Sequence, residues 1–597
     1  MMTHLLICFL LLFLLSLIFL IFRGYRIHHF SPLSLLLNFI IFDFVVFVYS
    51  YYFLSISPIE ILIVILSQFL IALVLFPIIR NWNVAGQSFY VNLVILSLFV
   101  TIYLIWTISL SSLLMIKIFG GIILLFDLLA LFLMFLEIFS ILNVICRVKN
   151  KRIFDPHNPP KTDGYFPLVS LHVPMCTEPP AMVKATLYCL SRLDYPNFEV
   201  LVIDNNTKSK KLWQPVEEYC RKLGSRFKFF HLDYLPGFKS GALNFALKKT
   251  DPKAEIIGII DSDYEVEKDF LKKSIPYFKD PKVAIVQAPQ DYRHFKETKY
   301  SEQCYWVYRY FFTTVMNSTN SDNAASFVGT MGLIRKELLE EIKGWDEECI
   351  TEDIEIGLRI HNKGLSSVYL DYSFGKGLIP DEFKTYKQQR FRWSFGNAQV
   401  IKKHFWKLFS CKGKLKLIQK IGYLSALSIW FNTLLAGSIA LFVCTGFNFV
   451  FDKNILSPLI WATGLIFLIF IFRRSLGFLW CLKIKTKQTI GKMLCALNSF
   501  FSLTGTMAVA WILGFLKRRE TFWRTSKFRH EPIFRRALYH VRWEIILGFL
   551  SLILAVIVLL YLKDRLILFL LLLIQAYIYL SSLFVSIESV KSRKQFI

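Results

Sequence analysis

The pattern of hydrophobic and polar positions divides the 597-residue chain into three parts. The first and last parts are built from apolar runs of about 18 residues or more, the length that an α-helix needs to cross the hydrocarbon core of a bilayer. In the middle part, 148–416, charged and apolar residues are mixed as in a soluble protein. The pattern therefore predicts a soluble domain between two membrane regions, 1–147 and 417–597.

The membrane regions contain five apolar runs before the soluble domain and four after it. They cover 4–22, 32–54, 59–79, 90–112 and 119–146, then 420–447, 455–472, 543–562 and 565–587. Basic residues follow the first, third and fifth runs, and this charge bias predicts an N-terminus outside and a cytoplasmic middle domain. A further apolar stretch, 488–516, precedes the basic segment 517–542. Because a full crossing would place that segment outside, we interpret 488–516 as a re-entrant or interfacial helix.

Composition supports a membrane protein and excludes several other classes. Hydrophobic residues make up 55% of the chain and charged residues 19%, which is more apolar and less charged than a soluble globular protein. The net charge of +26 fits cytoplasmic loops, and we expect no nucleic-acid partner because the basic residues do not form one soluble arm. None of the eleven cysteines forms a CxxC pair, so a zinc or dithiol redox site is unsupported.

Within the soluble domain, short β-branched runs alternate with helical patterns. The predicted strands are 168–173, 198–203, 227–232, 255–260 and 283–287, and the predicted helices are 179–190, 212–224, 238–249 and 267–278. This alternation predicts an α/β domain with a mostly parallel sheet and helices on its faces. Ligands of such domains bind at the carboxyl ends of the strands.

Acidic residues follow two of the predicted strands. Asp261 and Asp263 come directly after the run 256–260. Two carboxylates at a strand end can hold Mg²⁺ or Mn²⁺ between them and a bound phosphate, although many surface loops contain the same pair. Asp204 ends an earlier strand, where it could accept hydrogen bonds from a base or a sugar, or simply form a turn.

Three further positions have both a functional and a structural interpretation. Lys239 precedes a predicted helix, where a basic side chain can meet a diphosphate or remain solvated. Asp353 lies in the first turn of a helix, where it can serve the helix dipole or act as a general base. The segment with Gln389, Arg392 and Trp393 offers a flat ring and polar donors for a sugar, or a helix at a membrane surface.

In this order along the chain, these residues resemble the membrane-embedded family 2 glycosyltransferases, the group that includes cellulose, hyaluronan and chitin synthases. The resemblance is close over about 165–410. Its other motifs are the runs 174–179, 239–244, 327–330 and 350–361. Residues 522–527 resemble the gating loop of that family, and 172–247 is most similar to bacterial synthases of the β-1,3-glucan type.

The resemblance implies a GT-A-type, Rossmann-like cytosolic domain that binds a UDP-sugar, most simply UDP-glucose, with Mg²⁺ or Mn²⁺. It implies the following roles: Asp353 as catalytic base; Glu178, Asp204, Lys239, Asp261, Arg392, Thr525 and Lys527 in nucleotide-sugar binding; Glu352, Gln389 and Trp393 in acceptor binding; and Asp263 with Asp261 as metal ligands. The chain departs from the family at Cys176 and Thr177, where many relatives carry an aromatic residue and an Asn before the Glu.

The resemblance further implies an inverting, processive β-glucan synthase of a bacterial inner membrane, acting on a polysaccharide acceptor and coupling synthesis to export. The main alternative is a non-processive enzyme that glycosylates a lipid such as ceramide, diacylglycerol or a polyprenyl phosphate. A transporter or receptor with an inactive enzymatic domain is disfavoured because all three acidic sites are intact. The sequence predicts neither partner subunits nor the glycosidic linkage.

Overall fold

The computed structural model describes the chain except for residues 1, 25, 28–31, 55, 411–412, 452, 518–533, 563–564 and 595–597. The chain forms two compact units. One unit contains Met1–Lys151, Asn432–Ala508 and Trp543–Ser581, and the other contains Arg152–Phe431, Val509–Arg542 and Ser582–Ile597. We call them the membrane unit and the catalytic unit.

Five long apolar helices open the membrane unit. They are α1 (Met2–Arg23), α2 (Pro32–Leu54), α3 (Pro58–Ile79), α4 (Val84–Ser109) and α5 (Leu114–Ile145). Polar caps set some of the boundaries: Ser57 and Glu60 form a reciprocal capping box at the start of α3, and the Asn83 side chain accepts from Gly86 N. The cap at Asn83 explains why α4 begins six residues before the predicted run.

A seven-stranded sheet forms the centre of the catalytic unit, in the order β3-β2-β1-β4-β8-β6-β9. A small sheet, in the order β5-β10-β7, lies in the same unit. The strands are β1 (Leu168–Met175), β2 (Phe198–Asn205), β3 (Phe227–Leu232), β4 (Ala254–Ile259), β5 (Glu265–Val266), β6 (Val283–Gln287), β7 (Asp291–Tyr292), β8 (Gly332–Arg335), β9 (Ser366–Tyr369) and β10 (Gly375–Gly377).

Strand direction in the large sheet confirms the α/β class with a mostly parallel sheet. Only β8 runs antiparallel to its neighbours, and the other described pairs of that sheet are parallel. Every residue of β2 is buried, as expected of a parallel strand covered on both faces. The five predicted strands agree with the structure within two residues at each end.

Helices connect these strands. The α-helices in the segment Arg152–Phe431 are α6 (Pro180–Ser191), α7 (Lys210–Leu223), α8 (Phe238–Lys249), α9 (Phe270–Ser274), α10 (Lys299–Tyr310), α11 (Asn317–Ser321), α12 (Lys336–Glu341), α13 (Glu352–His361), α14 (Phe383–Lys403), α15 (Phe405–Phe409) and α16 (Leu417–Ser428). The predicted helix 267–278 is wrong as a single element. It is the short α9 followed by a 3₁₀ turn, Ile275–Lys279, because Pro276 lacks the N–H that would continue the helix.

The C-terminal part of the chain forms α17 (Leu434–Phe447), α18 (Lys453–Ser475), α19 (Lys483–Thr486), α20 (Ile490–Phe501), α21 (Thr504–Leu516), α22 (Phe534–Tyr539), α23 (Arg542–Tyr561) and α24 (Leu566–Lys594). A π-helical segment, Leu476–Leu482, joins α18 to α19. The predicted span 420–447 is wrong as one helix: it is divided into α16 and α17. The break is stabilised by Asn432, whose side-chain oxygen accepts from Leu434 N at 2.8 Å and so competes with the helical backbone bonds.

In the described part of the chain, eight helices are long and apolar enough to cross a membrane, or nine if the bent pair α20 and α21 is one span. The pair is bent by 46° within the stretch 488–516. A bend of this size fits either a broken span or a re-entrant element, so the prediction for this stretch stays a prediction. The set of helices indicates an integral membrane protein.

Candidate active site

A cavity of about 1050 Å³ opens where the strands β1, β2 and β4 end. It lies within the catalytic unit and is lined by nine of the predicted site residues: Glu178, Lys239, Asp261, Asp263, Glu352, Asp353, Gln389, Arg392 and Trp393. These residues come from five separate segments of sequence. Their meeting at the carboxyl ends of the strands is the arrangement expected for a ligand site of a parallel sheet.

Lys239 and Asp261 form an ion pair on the cavity wall. Lys239 Nζ donates to Asp261 Oδ1 at 2.7 Å and to Gly329 O at 2.8 Å, and both side chains are partly exposed. Burial lowers the pKa of Lys239, but the charges of Asp261 and two further acidic neighbours raise it more, so that the net shift is upward. The ammonium group therefore stays charged, ready to meet an anionic ligand.

Asp263 is almost fully buried, and its Oδ2 atom accepts from Leu378 N at 2.7 Å. Among the described residues, no cluster of three or more His, Cys, Asp or Glu side chains could enclose a metal ion. Asp261 and Asp263 thus offer an open donor set of carboxylate oxygens. This set fits Mg²⁺ or Mn²⁺, which favour oxygen ligands and commonly take the remainder from water and substrate phosphates.

Glu352 and Asp353 begin α13 and place two carboxylates side by side. Asp353 Oδ1 accepts from Ile354 N at 2.9 Å. Burial raises the pKa of both groups, and the charge of Asp353 raises the pKa of Glu352 further. Gly329 has φ +82°, and a Cβ there would lie 2.8 Å from Asp353 Oδ2, so that only glycine allows this loop to approach the carboxylate.

Comparisons with known proteins show which proteins this chain resembles. A family model described as "Glycosyl transferase family group 2" matches residues 256–476. The chain is 28% identical over 288 residues to glucomannan 4-beta-mannosyltransferase 9 of Arabidopsis thaliana, covering 46% of this chain and 53% of the relative. It is 30% identical over 247 residues to the UDP-forming cellulose synthase catalytic subunit of Pseudomonas fluorescens (strain SBW25), covering 40% and 32%. The similarity to this family is therefore shown for residues 256–476.

The match to these relatives is partial. The chain spans about half, or a third, of the length of the two curated relatives. Among solved structures, the mannosyltransferase PcManGT from Pyrobaculum calidifontis, in complex with GDP-Man and Mn²⁺, has a TM-score of 0.42 and 18% identity. That likeness covers 61% of this chain and 90% of the other, and it is too distant to bear on ligands. The resemblance to the β-1,3-glucan subgroup has no counterpart among the two curated relatives named above.

Within the segment 256–476 that matches the family model, Arg390 occupies a cage of aromatic rings that sequence reasoning missed. The side chain is fully buried, and its guanidinium carbon lies 4.0–4.8 Å from four ring centroids, those of Tyr308, Tyr386, Trp393 and Trp430. Its Nη2 donates to Tyr386 Oη at 3.2 Å, while Nε and Nη1 have no hydrogen-bond partner in the described part of the chain. Cation–π contacts therefore dominate its environment.

The cage holds residues of the predicted acceptor site. Trp393 is one of its walls, and Tyr308, another wall, donates a hydrogen bond to Gln389 Oε1. On α14, Arg392 and Trp393 follow Gln389 by three and four residues, so that each of them is a neighbour of Gln389 on the helix surface. Burial lowers the pKa of Arg392 to about 10, which leaves it charged at neutral pH. The spacing of Arg390 from Tyr386 and Trp393 was the available signal for the cage.

Asp204 lies outside the set of residues that line the cavity. It is fully buried and hydrogen-bonded to Thr207 Oγ1 at 2.5 Å and to His231 Nδ1 at 2.7 Å. The reason is that β2 continues two residues beyond the predicted end, so that Asp204 pairs with His231 in the sheet. Asn205 and Asn206 line the cavity in its place. The predicted role of Asp204 in nucleotide-sugar binding stays a prediction.

Two other predicted site residues, Thr525 and Lys527, lie outside the described residues. The nearest described residue before them, Lys517, lines the cavity. Two aromatic side chains that the sequence did not single out, Tyr234 and Phe238, also line it and are 82% and 45% exposed. Cys176, which departs from the family pattern, lines it too, and its N–H donates to the Glu178 carboxylate.

Proposed function

We propose that this protein is an inverting glycosyltransferase that transfers glucose from UDP-glucose to a growing β-glucan in a bacterial inner membrane. The observation that carries the proposal is the meeting of Lys239, Asp261, Asp263 and Asp353 on one cavity. A cation, two metal-type carboxylates and a potential base are the groups that transfer from a diphosphate donor requires.

The order of the strands supports one orientation of the UDP-sugar in the cavity. Asp261 and Asp263 follow β4, and the sheet continues from β4 to β1, β2 and β3. With the diphosphate beside β4, the nucleoside lies over the ends of β1 and β2, where Asn205, Asn206 and Tyr234 line the cavity. An exposed ring such as Tyr234 can stack on a base, which the family aromatic missing at Cys176 would otherwise do.

The chain's own charges can stabilise the leaving group. Lys239 and Arg392 are cationic side chains that line the cavity. Each interacts electrostatically with Asp261, beside which the diphosphate is proposed to bind. A divalent cation held by Asp261 and Asp263 would add Lewis-acid stabilisation of the departing diphosphate. Positioned charges of this kind act where negative charge develops, in a site partly shielded from water.

Asp353 is the base in this proposal. Its carboxylate removes the proton from an acceptor hydroxyl as that oxygen attacks the anomeric carbon from the face opposite UDP. One displacement inverts an α-linked donor to a β-linked product. Trp393 supplies the flat surface for the acceptor sugar, and Gln389, held by Tyr308, supplies a polar contact. General-base assistance typically contributes about 10²–10⁴-fold to the rate.

The test is a product assay with the purified full-length protein in lipid nanodiscs. UDP-glucose, UDP-GlcNAc, UDP-galactose and GDP-mannose are supplied separately with Mg²⁺ or Mn²⁺, and nucleotide release is measured. We expect UDP release from UDP-glucose and a long product that a β-glucanase digests, with β-1,3- and β-1,4-specific enzymes reporting the linkage. An organic-extractable glycolipid would favour the alternative acceptor class, and no nucleotide release with any donor would overturn the proposal.

Arg390→Lys should lower the transfer rate about tenfold and leave the Kd for UDP unchanged. Lysine keeps the charge but loses the planar group that contacts four rings at once, and cation–π contacts of desolvated groups are worth about 1–2 kcal/mol. Calorimetry of UDP binding and UDP-release kinetics separate the two quantities. The control is Arg359→Lys, at a partly buried ion pair with Glu355 that does not line the cavity. If both variants slow transfer equally, Arg390 has only a structural role.

A further inference from the structure

A second cavity, of about 780 Å³, lies within the membrane unit between the end of α1 and the segment 472–484. We define it as the basic groove. One part of its wall is apolar and includes Ile21, Phe22 and Leu479. The other part carries three basic side chains, those of Arg23, Arg26 and Lys483. None of the described residues that line the groove is acidic.

The basic side chains come from two distant segments that end close together. Arg23 is the last residue of α1, and the backbone turns directly after it, with Arg26 N donating to Arg23 O at 2.9 Å. Lys483 follows the π-helical segment Leu476–Leu482. A spanning helix that ends in basic residues indicates the cytoplasmic face of the membrane. Cations at a helix end also favour the helix dipole, but the dipole does not explain the apolar wall.

Trp480 adds an observation that is independent of charge. Its side chain is 8% exposed and lines the groove, and its indole N–H has no hydrogen-bond partner in the part of the chain that the structure describes. Buried tryptophan N–H groups usually have an acceptor. The residue belongs to the π-helical segment, a rare conformation that is frequent at functional sites. The wall of the groove therefore includes a buried N–H group that has no acceptor among the described residues.

We propose that the basic groove binds an anionic phospholipid of the cytoplasmic leaflet. The phosphodiester accepts from Trp480 Nε1 and pairs with Arg23, Arg26 and Lys483, while an acyl chain lies against Ile21, Phe22 and Leu479. A ligand with both an anion and a hydrocarbon chain fits the two kinds of wall, which a free phosphate does not. Clusters of basic residues between spanning helices on the cytoplasmic side are known recognition sites for such headgroups. This proposal does not depend on the proposed transferase activity.

The test uses the full-length protein released from nanodiscs that contain equal amounts of phosphatidylglycerol and phosphatidylcholine. Native mass spectrometry measures which lipid stays bound. We expect preferential retention of phosphatidylglycerol by the wild type. The double variant R23Q/K483Q should lower that preference about 25-fold, at about fivefold for each basic residue. W480F keeps the ring and all charges and should lower it about fivefold by removing one hydrogen-bond donor.

A charge-matched control is the double variant K485Q/K487Q. These lysines lie two and four residues after Lys483 but do not line the groove, and we expect a change of less than twofold. Glycerol 3-phosphate at millimolar concentration should not displace the lipid. The proposal is overturned if the wild type retains both lipids equally, if the two double variants behave alike, if W480F matches the wild type, or if glycerol 3-phosphate competes as well as the lipid does.

Discussion

Asp353→Asn is expected to lower kcat by about 10²–10⁴-fold while the Kd for UDP stays close to that of the wild type. The amide cannot take a proton from the acceptor, but it still offers an oxygen to Ile354 N, the bond that positions Asp353 at the start of α13. UDP release and calorimetry of UDP binding measure the two quantities. Asp371→Asn is the control. Asp371 lies on the loop between β9 and β10, does not line the cavity, and accepts a hydrogen bond from the Asn317 side chain.

The pH dependence of kcat/KM provides a separate check on this base. Burial raises the pKa of Asp353, and the group must be deprotonated to act. Activity should therefore fall as the pH drops through that raised pKa, at a higher pH than for an ordinary aspartate, whose pKa is about 3.9. Glu352→Gln tests the neighbouring carboxylate. If Glu352→Gln abolishes transfer and Asp353→Asn does not, Glu352 is the base.

Asp263→Asn should lower transfer by at least about 10²-fold and remove most of the benefit of Mn²⁺ for UDP binding. The variant loses one of the two carboxylate charges proposed to hold the metal ion. It keeps an oxygen that can accept a hydrogen bond from Leu378 N. Metal-ion stabilisation of a developing diphosphate is worth several kcal/mol, so its loss should be large. The measurements are UDP release and the Kd for UDP with and without Mn²⁺.

Glu265→Gln is the matched control for this variant. Glu265 lies two residues further along, forms a partly exposed ion pair with Arg293 at 3.3 Å, and does not line the cavity. We expect near wild-type transfer from it. Full activity of Asp263→Asn, or full activity of the wild type after exhaustive metal chelation, would contradict the role of Asp263.

The parallel core of the fold could be predicted because its strands are buried on both faces. A strand such as β2 is a continuous apolar run, and the helices between strands keep a period that a sequence shows directly. The short strands β8 and β9 have only four residues each, too few for a periodic pattern. The division of 420–447 depends on one side chain, Asn432, inside an otherwise apolar stretch.

The site residues also divide into those whose position the sequence indicates and those whose position depends on the folded structure. Asp261 follows a strand, so that local pattern predicts its place at a carboxyl end of the sheet. The meeting of Lys239 and Asp353 with it was implied by the family resemblance. The position of Asp204 depends on where β2 ends, and two residues of extension suffice to pair it with His231. The role of Arg390 depends on rings from three segments, and the local spacing on α14 indicates only two of the four rings, those of Tyr386 and Trp393.

The most direct test of the account is a cryo-EM structure of the full-length protein with UDP and Mn²⁺. We expect the diphosphate within hydrogen-bond distance of Lys239, the metal ion between it and the carboxylates of Asp261 and Asp263, and the uracil over the ends of β1 and β2 near Tyr234. Asp353 should face the open side of the cavity, towards Trp393. A nucleotide bound elsewhere on the chain, or density for UDP that contacts neither Lys239 nor these carboxylates, would contradict the account.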